Sequence, residues 1–379
     1  MSHSKMNDEV SFGKNLRVAL VHDWLVSYRG GEKVLQSIGK LFPSAPIYTL
    51  FYHAPELPEW FHQRDVRAPI LLNKLHSVRK ILLPFLPSAI EAIDLKGYDL
   101  IISTSSCVAK GIIPPLGAKH VCYIHSPMRY IWDQRHEYFR NIQSIPVVSS
   151  VLDLLLSQLR IWDVCSANRV DSFVANSQFV KQRVHRYYRR DSSVINPPVF
   201  LDRFLKKNPT RKDQSDFFLT AGAFVPYKRF DLAIEACEKL GHKLVVAGGG
   251  PSERYLRSLA GDKTEFVISP SQEKLAELMA KAKGFIFPAV EDFGIVSIEA
   301  MASGTPVIAL KEGGSLDYLK PGENGLFFET QTVDSLISAL QSFKLDAFDL
   351  NRVVESTRRF SEERFLDEFR REVQRSLGA

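Results

Sequence analysis

Two carboxylates, Glu291 and Glu299, stand with seven residues between them and bracket a glycine loop and the first turn of a helix. The apolar run Gly284-Phe285-Ile286-Phe287 ends at Pro288, and Gly294 interrupts the loop that follows. Small residues then lead to Gly304-Thr305-Pro306 and a new apolar run from Val307 to Leu310. This is strand, glycine loop, helix, strand. The N–H groups at such a helix start have no partner within the helix and point out of the carboxyl edge of a sheet, where they hold an anion such as a diphosphate. Here they belong to Phe293, Gly294, Ile295 and Val296. A carboxylate facing a diphosphate is repelled, so Glu299, about one turn into the helix, is better matched to neutral hydroxyls such as those of a ribose. Glu291 precedes the helix and reaches past the phosphates. The pattern predicts a ligand that is a nucleoside diphosphate carrying a polyhydroxy group.

Other residues suit the same ligand. Tyr227-Lys228-Arg229 follows the apolar run Phe217 to Ala221 at the start of a helix, where a lysine neutralises a diphosphate and eases its departure. Gly30-Gly31 sits in the first strand–helix loop, and two residues without Cβ let a ligand approach the backbone. His125 ends another apolar run, while Asp23 and Trp24 follow the first. Gly248-Gly249-Gly250-Pro251 reads equally as a tight turn or as a place of close nucleotide approach.

The elements that must position these residues alternate between apolar runs and helical patterns, as parallel α/β sheets do. Strands are expected at Leu16 to Val21, Pro46 to Phe51, Tyr98 to Ser103, Lys119 to Ile124, Ser172 to Ala175 and Ser193 to Asn196. A second series is expected at Phe217 to Ala221, Lys243 to Ala247, Thr264 to Ile268, Gly284 to Phe287 and Pro306 to Ala309. Helices are expected from Glu32 to Leu41, Gln178 to Arg189 with Ser177 as its cap, and Arg229 to Leu240. The segment Asn351 to Leu377 reads as one charged amphipathic helix.

Composition narrows the classes. A chain of 379 residues suits two domains. Its four cysteines are scattered, without C-x-x-C spacing, which implies thiols in a reducing compartment and no zinc site. No charged start leads into an apolar secretory segment, and no apolar stretch approaches a membrane span, so a cytoplasmic protein is expected. The net charge of +6 suits anionic membrane surfaces or phosphates, and no nucleic-acid motif accompanies it. Within Val66 to Leu95, the basic residues Arg67, Lys74, Arg79 and Lys80 lie among apolar ones, a pattern that anchors a protein at an anionic membrane. No D-x-D carboxylate pair of the sort that holds a divalent metal on a nucleotide sugar is found, and no Ser-His-Asp set or Walker loop is present.

Several stretches in order carry a resemblance that runs from about Arg17 to the C-terminus. They are Val18 to Leu25, Tyr28 to Leu35, Tyr123 to Tyr130, Val225 to Arg229 and the Glu291–Glu299 stretch. In them the chain resembles the family 4 glycosyltransferases of GT-B fold, nearest to the bacterial mannosyltransferase-like branch that builds O-antigen and exopolysaccharide repeat units. The resemblance implies two Rossmann-like domains facing across a cleft, an acceptor-side domain over 15–200 and a nucleotide-sugar domain over 201–350. The terminal helix, about 351–379, would cross back to the first domain. It implies a retaining hexosyltransferase that needs no metal and no cofactor beyond its nucleotide-sugar substrate.

By the same resemblance Glu291, His125 and Lys228 are catalytic. Gly30, Gly31, Arg229, Phe293, Gly294, Ile295, Val296 and Glu299 bind the donor. GDP-mannose is the first expected donor and a UDP-sugar the alternative, with a lipid-linked or growing glycan as acceptor. The family carries an arginine five residues before the lysine, where this chain has Ala223. That departure keeps open a non-catalytic, nucleotide-sugar-binding subunit of an assembly complex. Arg229 is the nearest replacement charge, although adjacent side chains point in different directions.

Overall fold

The computed structural model describes residues 16–79, 81–134, 146–205 and 215–378. They form two compact units. One runs up to Pro198 and regains the chain from Glu363, and the other is Val199–Glu362.

The first unit contains β1 (Val18–His22), α1 (Gly30–Leu41), β2 (Ile47–Thr49), β3 (Val66–Arg67), β4 (Leu100–Ser105) and β5 (Lys119–Ile124). It continues with α2 (Pro146–Ala167), β6 (Ser172–Ala175), α3 (Gln178–Tyr188) and β7 (Ser193–Val194). All strand pairs are parallel, in the order β3-β2-β1-β4-β5-β6-β7. Every residue of β1 and β4 is buried, which is why Val18 to Val21 and Leu100 to Ile102 read as apolar runs rather than alternating ones. Ser177 caps α3 as expected, its hydroxyl accepting from the Val180 N–H. The first strand ends one residue later than its apolar pattern suggests. His22 is its last residue, in register with Thr104.

The second unit contains β8 (Phe218–Ala223), α4 (Phe230–Leu240), β9 (Leu244–Gly249), β10 (Thr264–Ile268), β11 (Gly284–Phe287), α5 (Ile295–Ala302), β12 (Val307–Leu310) and β13 (Gly325–Phe328). Its parallel order is β10-β9-β8-β11-β12-β13. The four-residue edge strand β13 was not expected from sequence and pairs with β12. In both sheets the order reverses beside the first strand, between β1 and β4 and between β8 and β11. Loops leaving such neighbours diverge, and ligands of open α/β sheets bind outside the carboxyl ends there.

The last segment departs from the single helix expected. It is α6 (Leu350–Glu355), a short turn at Arg358–Phe360, and α7 (Glu362–Leu377), with Ser361 extended between them. The cause is two phenylalanines five residues apart, anchored in different cores. Phe360 is buried with Phe293 and Tyr318 in the second unit. Phe365, Phe369 and Val373 are buried against β1, β4 and β5 in the first. The expected return of the terminal helix to the first unit therefore holds for α7 alone. No helix among the described residues is long and apolar enough to cross a membrane.

Candidate functional site

The reversal of strand order in the second unit brings two of the expected catalytic residues together. Lys228 lies in the turn after β8, and Glu291 in the loop after β11. Lys228 Nζ donates to Glu291 Oε1, in an ion pair with both side chains mostly buried. The ammonium also lies 5.8 Å from the Tyr227 ring and 5.9 Å from the Phe287 ring, so aromatic faces line the cation. An acid and a base held this way at a carboxyl edge can exchange each other for a ligand that carries both an anion and hydroxyls.

The glycine loop between them is set by sterics. Gly294 has φ +94°, a left-handed conformation that side chains rarely adopt. A Cβ there would meet Tyr318 Oη at 2.8 Å and Phe287 Cζ at 2.9 Å. The backbone therefore turns sharply into α5, leaving Ile295 and Val296 half-buried at its start. Glu299 is buried one turn further on. A support absent from the sequence reading comes from Gly313-Gly314. The Gly314 N–H donates to Glu291 O at 2.8 Å, and a Cβ on Gly314 would overlap Phe293 Cα. A pair of glycines just after the next strand was the available signal.

Two neighbouring features have other uses. Arg229, expected among the donor-binding groups, adopts φ 52° and turns its guanidinium to Asp231 and Gln331. Ala223, the last residue of β8, is thus not answered by that neighbouring charge. A Cβ on Gly248 would overlap Gly222 O, and one on Gly250 would lie 2.7 Å from Phe224 O. These glycines allow β8 and β9 to run close together.

In the first unit, α1 starts at Gly30, directly after Arg29. Glu32 folds back so that its Oε2 accepts from the Arg29 N–H at 2.9 Å. An N–H at the helix start is thereby used by the protein's own carboxylate. His22 lies behind it, with Nε2 4.0 Å from Glu32 Oε1 and Nδ1 2.6 Å from Thr104 Oγ1. Burial pushes the Glu32 carboxyl up, but His22 and the N–H groups of Glu32 and Arg29 outweigh it and hold the carboxyl below its ordinary value. His125 stands at the end of β5, its ring edge-on to Tyr123 at 5.3 Å. A Cβ on Gly31 would meet His125 Nε2 at 3.4 Å and His22 Cε1 at 3.6 Å. Gly31 and His125 are thus brought together. His22 joins them, and sequence inspection missed it because it ends an apolar strand.

Residues following β1 and β5 have partners within the protein. The Asp23 carboxylate is buried and accepts from the N–H groups of Ser106, Cys107, Val108 and Ala109, tying the loop after β4 to the end of β1. Trp24 packs with the apolar core. Tyr130 pairs with Cys107, Trp132 with Asp163, and Asp133 with Arg183. The basic residues expected to face a membrane are not all free to do so. Arg67 is held by Asp65 and Tyr48, and the half-buried Arg79 donates to His76 O. Lys74 is exposed, while Lys80 lies outside the described residues. Among the described residues no cluster of three or more metal-ligating side chains occurs.

Comparison with known proteins agrees with this construction. The model for Glycosyltransferase Family 4 matches residues 29–203, and that for Glycosyl transferases group 1 matches residues 202–363. A GDP-mannose-dependent alpha-(1-6)-phosphatidylinositol monomannoside mannosyltransferase of Mycobacterium tuberculosis is 31% identical over 140 residues, covering 32% of this chain and 36% of the relative. A D-inositol 3-phosphate glycosyltransferase of Catenulispora acidiphila is 32% identical over 185 residues, covering 41% and 43%. The chain spans less than half the length of these curated relatives. Among solved structures, Anabaena HepE in complex with UDP superposes with a TM-score of 0.67 at 17% identity, over 94% of this chain and 99% of that one. At that identity the likeness speaks for the fold. Two parallel-sheet Rossmann-like units of this order are the GT-B fold. The two matched stretches adjoin and span both units, and the chain belongs to the family 4 glycosyltransferases.

Proposed function

We propose that the protein is a retaining glycosyltransferase that moves a hexose from a nucleoside diphosphate sugar to a hydroxyl of a lipid-linked or growing glycan, with GDP-mannose as donor. The observation that carries the reading is the Lys228–Glu291 pair beside the start of α5. On donor binding, the diphosphate takes Lys228 together with the amides of Phe293 to Val296, and Glu291 turns to the sugar hydroxyls. Glu299 holds the ribose hydroxyls. The bond from the anomeric carbon to the diphosphate oxygen breaks as the acceptor oxygen attacks from the same face. The departing phosphate takes the acceptor's proton, and the nucleoside diphosphate leaves. Lys228 stabilises the charge that grows on it, a contact worth a few kcal/mol, about 10²-fold in rate. His125, Gly30 and Gly31 serve the sugar side.

The donor base is tested by thermal shift with GDP-mannose, GDP, UDP-glucose and UDP, because a ligand that binds only the folded state raises its melting temperature. A guanosine-selective shift is the expected result. A uridine-selective shift would replace the donor and keep the family. Stabilisation by nucleotide sugar without any transfer would favour the binding-subunit reading, which Ala223 motivates.

Membrane attachment is proposed through apolar rather than basic side chains. Ile70, Leu71, Ile81 and Phe85 are 78%, 81%, 76% and 68% exposed on the segment between β3 and β4, with Lys74 among them. Such side chains enter a bilayer interface, and the charge adds attraction to anionic lipid. Changing these four to serine should lower sedimentation with phosphatidylglycerol vesicles at least several-fold. Sedimentation equal to wild type would sink the proposal.

A further inference from the structure

We propose that Arg29 and Arg79 form a site for the phosphate of a lipid-linked acceptor, beside the apolar side chains that meet the bilayer. The inference rests on the acceptor reading above and names the residues that would hold the acceptor's phosphate.

The two arginines come from distant parts of the chain. Arg29 directly precedes α1, in the loop that leaves the carboxyl end of β1. Arg79 belongs to the segment between β3 and β4, which two contacts fasten to the carboxyl end of β2. The Tyr52 N–H donates to Asn73 Oδ1 at 2.6 Å. The His76 ring stacks on that of His53, with centroids 4.7 Å and planes 17° apart. Tyr52 and His53 follow β2, and Leu25, just after β1, bridges to Tyr52. Arg79 Nη1 then donates to His76 O at 2.9 Å. The stacked histidines thus carry Arg79 to the edge where open α/β sheets bind ligands.

Bringing these two cations together is unfavourable in the unliganded protein. Burial lowers the Arg79 pKa, the like charge of Arg29 lowers it further, and Glu32 opposes both. Glu32 is itself engaged. Its Oε2 accepts from the Arg29 N–H at 2.9 Å, and its Oε1 lies 4.0 Å from His22 Nε2. Among the described residues no ion pair joins either guanidinium to a carboxylate. Arg29 is exposed and Arg79 half-buried, so both can be reached from solvent. A guanidinium presents its donors as a planar fork that matches two phosphate oxygens. Since Glu32 takes the N–H at the helix start, side chains rather than backbone amides meet the anion.

The neighbouring surface names the kind of phosphate. Ile70, Leu71, Leu75, Ile81 and Phe85 are exposed on the same segment as Arg79. A soluble sugar phosphate makes no use of them. A lipid phosphate joins an anion to an apolar chain, and cations beside apolar surface are its complement.

The test uses the full chain. Calorimetric titration measures binding of farnesyl phosphate, farnesol and free GDP or UDP, and sedimentation measures binding to phosphatidylglycerol vesicles. Arg29→Gln, Arg79→Gln and Arg29→Lys are compared with wild type. Farnesyl phosphate should bind wild type at least 10-fold more tightly than farnesol. Each glutamine variant should lose about 10-fold for farnesyl phosphate and nothing for farnesol or free nucleotide. Arg29→Lys should lose less than Arg29→Gln but still bind more weakly than wild type, because a point charge lacks the fork. Sedimentation should stay near wild type, and a fall in both lipid measurements would keep the phosphate site and add the bilayer headgroup to its ligands. A fall in sedimentation alone would make the pair a bilayer contact and overturn the acceptor site. Unchanged farnesyl phosphate binding in the glutamine variants overturns it too, as does weaker binding of free nucleotide, which would give the arginines to the donor. If Arg79→Gln does not fold, the exposed Arg29 still decides. Wild type that binds farnesyl phosphate no better than farnesol overturns the site and the lipid-linked acceptor together. The transferase reading fails separately, by absence of transfer from any sugar nucleotide, and none of these measurements depends on turnover.

Discussion

Glu291→Gln is expected to lower transfer by about 10³-fold or more while tightening the binding of free nucleoside diphosphate. The two effects have one origin. Glu291 is proposed to hold the sugar hydroxyls and to face the positive charge that develops at the anomeric carbon, and glutamine carries no charge to answer it. In the unliganded protein, however, the same carboxylate accepts from Lys228. A diphosphate must displace it before taking the ammonium. Glutamine competes less strongly, so GDP or UDP, which has no sugar to lose, should bind several-fold more tightly, by about 1 kcal/mol. Calorimetric titration with the free nucleotide and single-turnover transfer with the sugar nucleotide separate the two. Weaker nucleotide binding would mean that the ion pair does not stand in the ligand's way. Transfer at the wild-type rate would remove Glu291 from the chemistry.

Gly294→Ala should have the second large effect, on the fold as well as on the ligand. The residue sits at φ +94° and ψ 54° and caps the start of α5. Alanine is strained there, and its methyl would press on Tyr318 and Phe287 at 2.8 and 2.9 Å. Both are buried aromatics in the core of the second unit, with little room to retreat. Strain and overpacking together should cost roughly 2–4 kcal/mol. Any relaxation swings the amides of Ile295 and Val296 away from the diphosphate position, so nucleotide affinity should fall at least 10-fold in protein that remains folded. Urea unfolding followed by nucleotide titration at low temperature measures both. Unchanged stability would show that the loop yields without strain. Unchanged affinity in a destabilised variant would mean that these amides do not hold the phosphates.

Much of this was legible along the chain because the signals are local. Parallel strands covered on both faces read as apolar runs, so β5, β6 and β11 stand where the pattern put them. The loop from Pro288 to Gly294 and the cap at Ser177 follow from backbone needs that only certain residues meet. Family motifs added an order of parts that no single spacing contains. The glycines at 248 and 250 were ambiguous, because a turn that approaches a nucleotide and one that approaches another strand use the same residue.

The α/β class, the two sheets and the residue types at their carboxyl edges can be read along the chain. Tertiary structure alone decided which of those residues meet. Lys228 reaches Glu291 across 63 positions of sequence, and His22 reaches Thr104 across 82, because parallel order sets β8 beside β11 and β1 beside β4. Arg229 looks like a spare phosphate-binding charge until Asp231 and Gln331 are seen around it. The terminal segment keeps an amphipathic period through a break that exists because Phe360 and Phe365 belong to different cores. Periodicity reports which face of an element is buried. It carries no information about the partner that buries it, and that partner is chosen by packing between residues far apart in the chain.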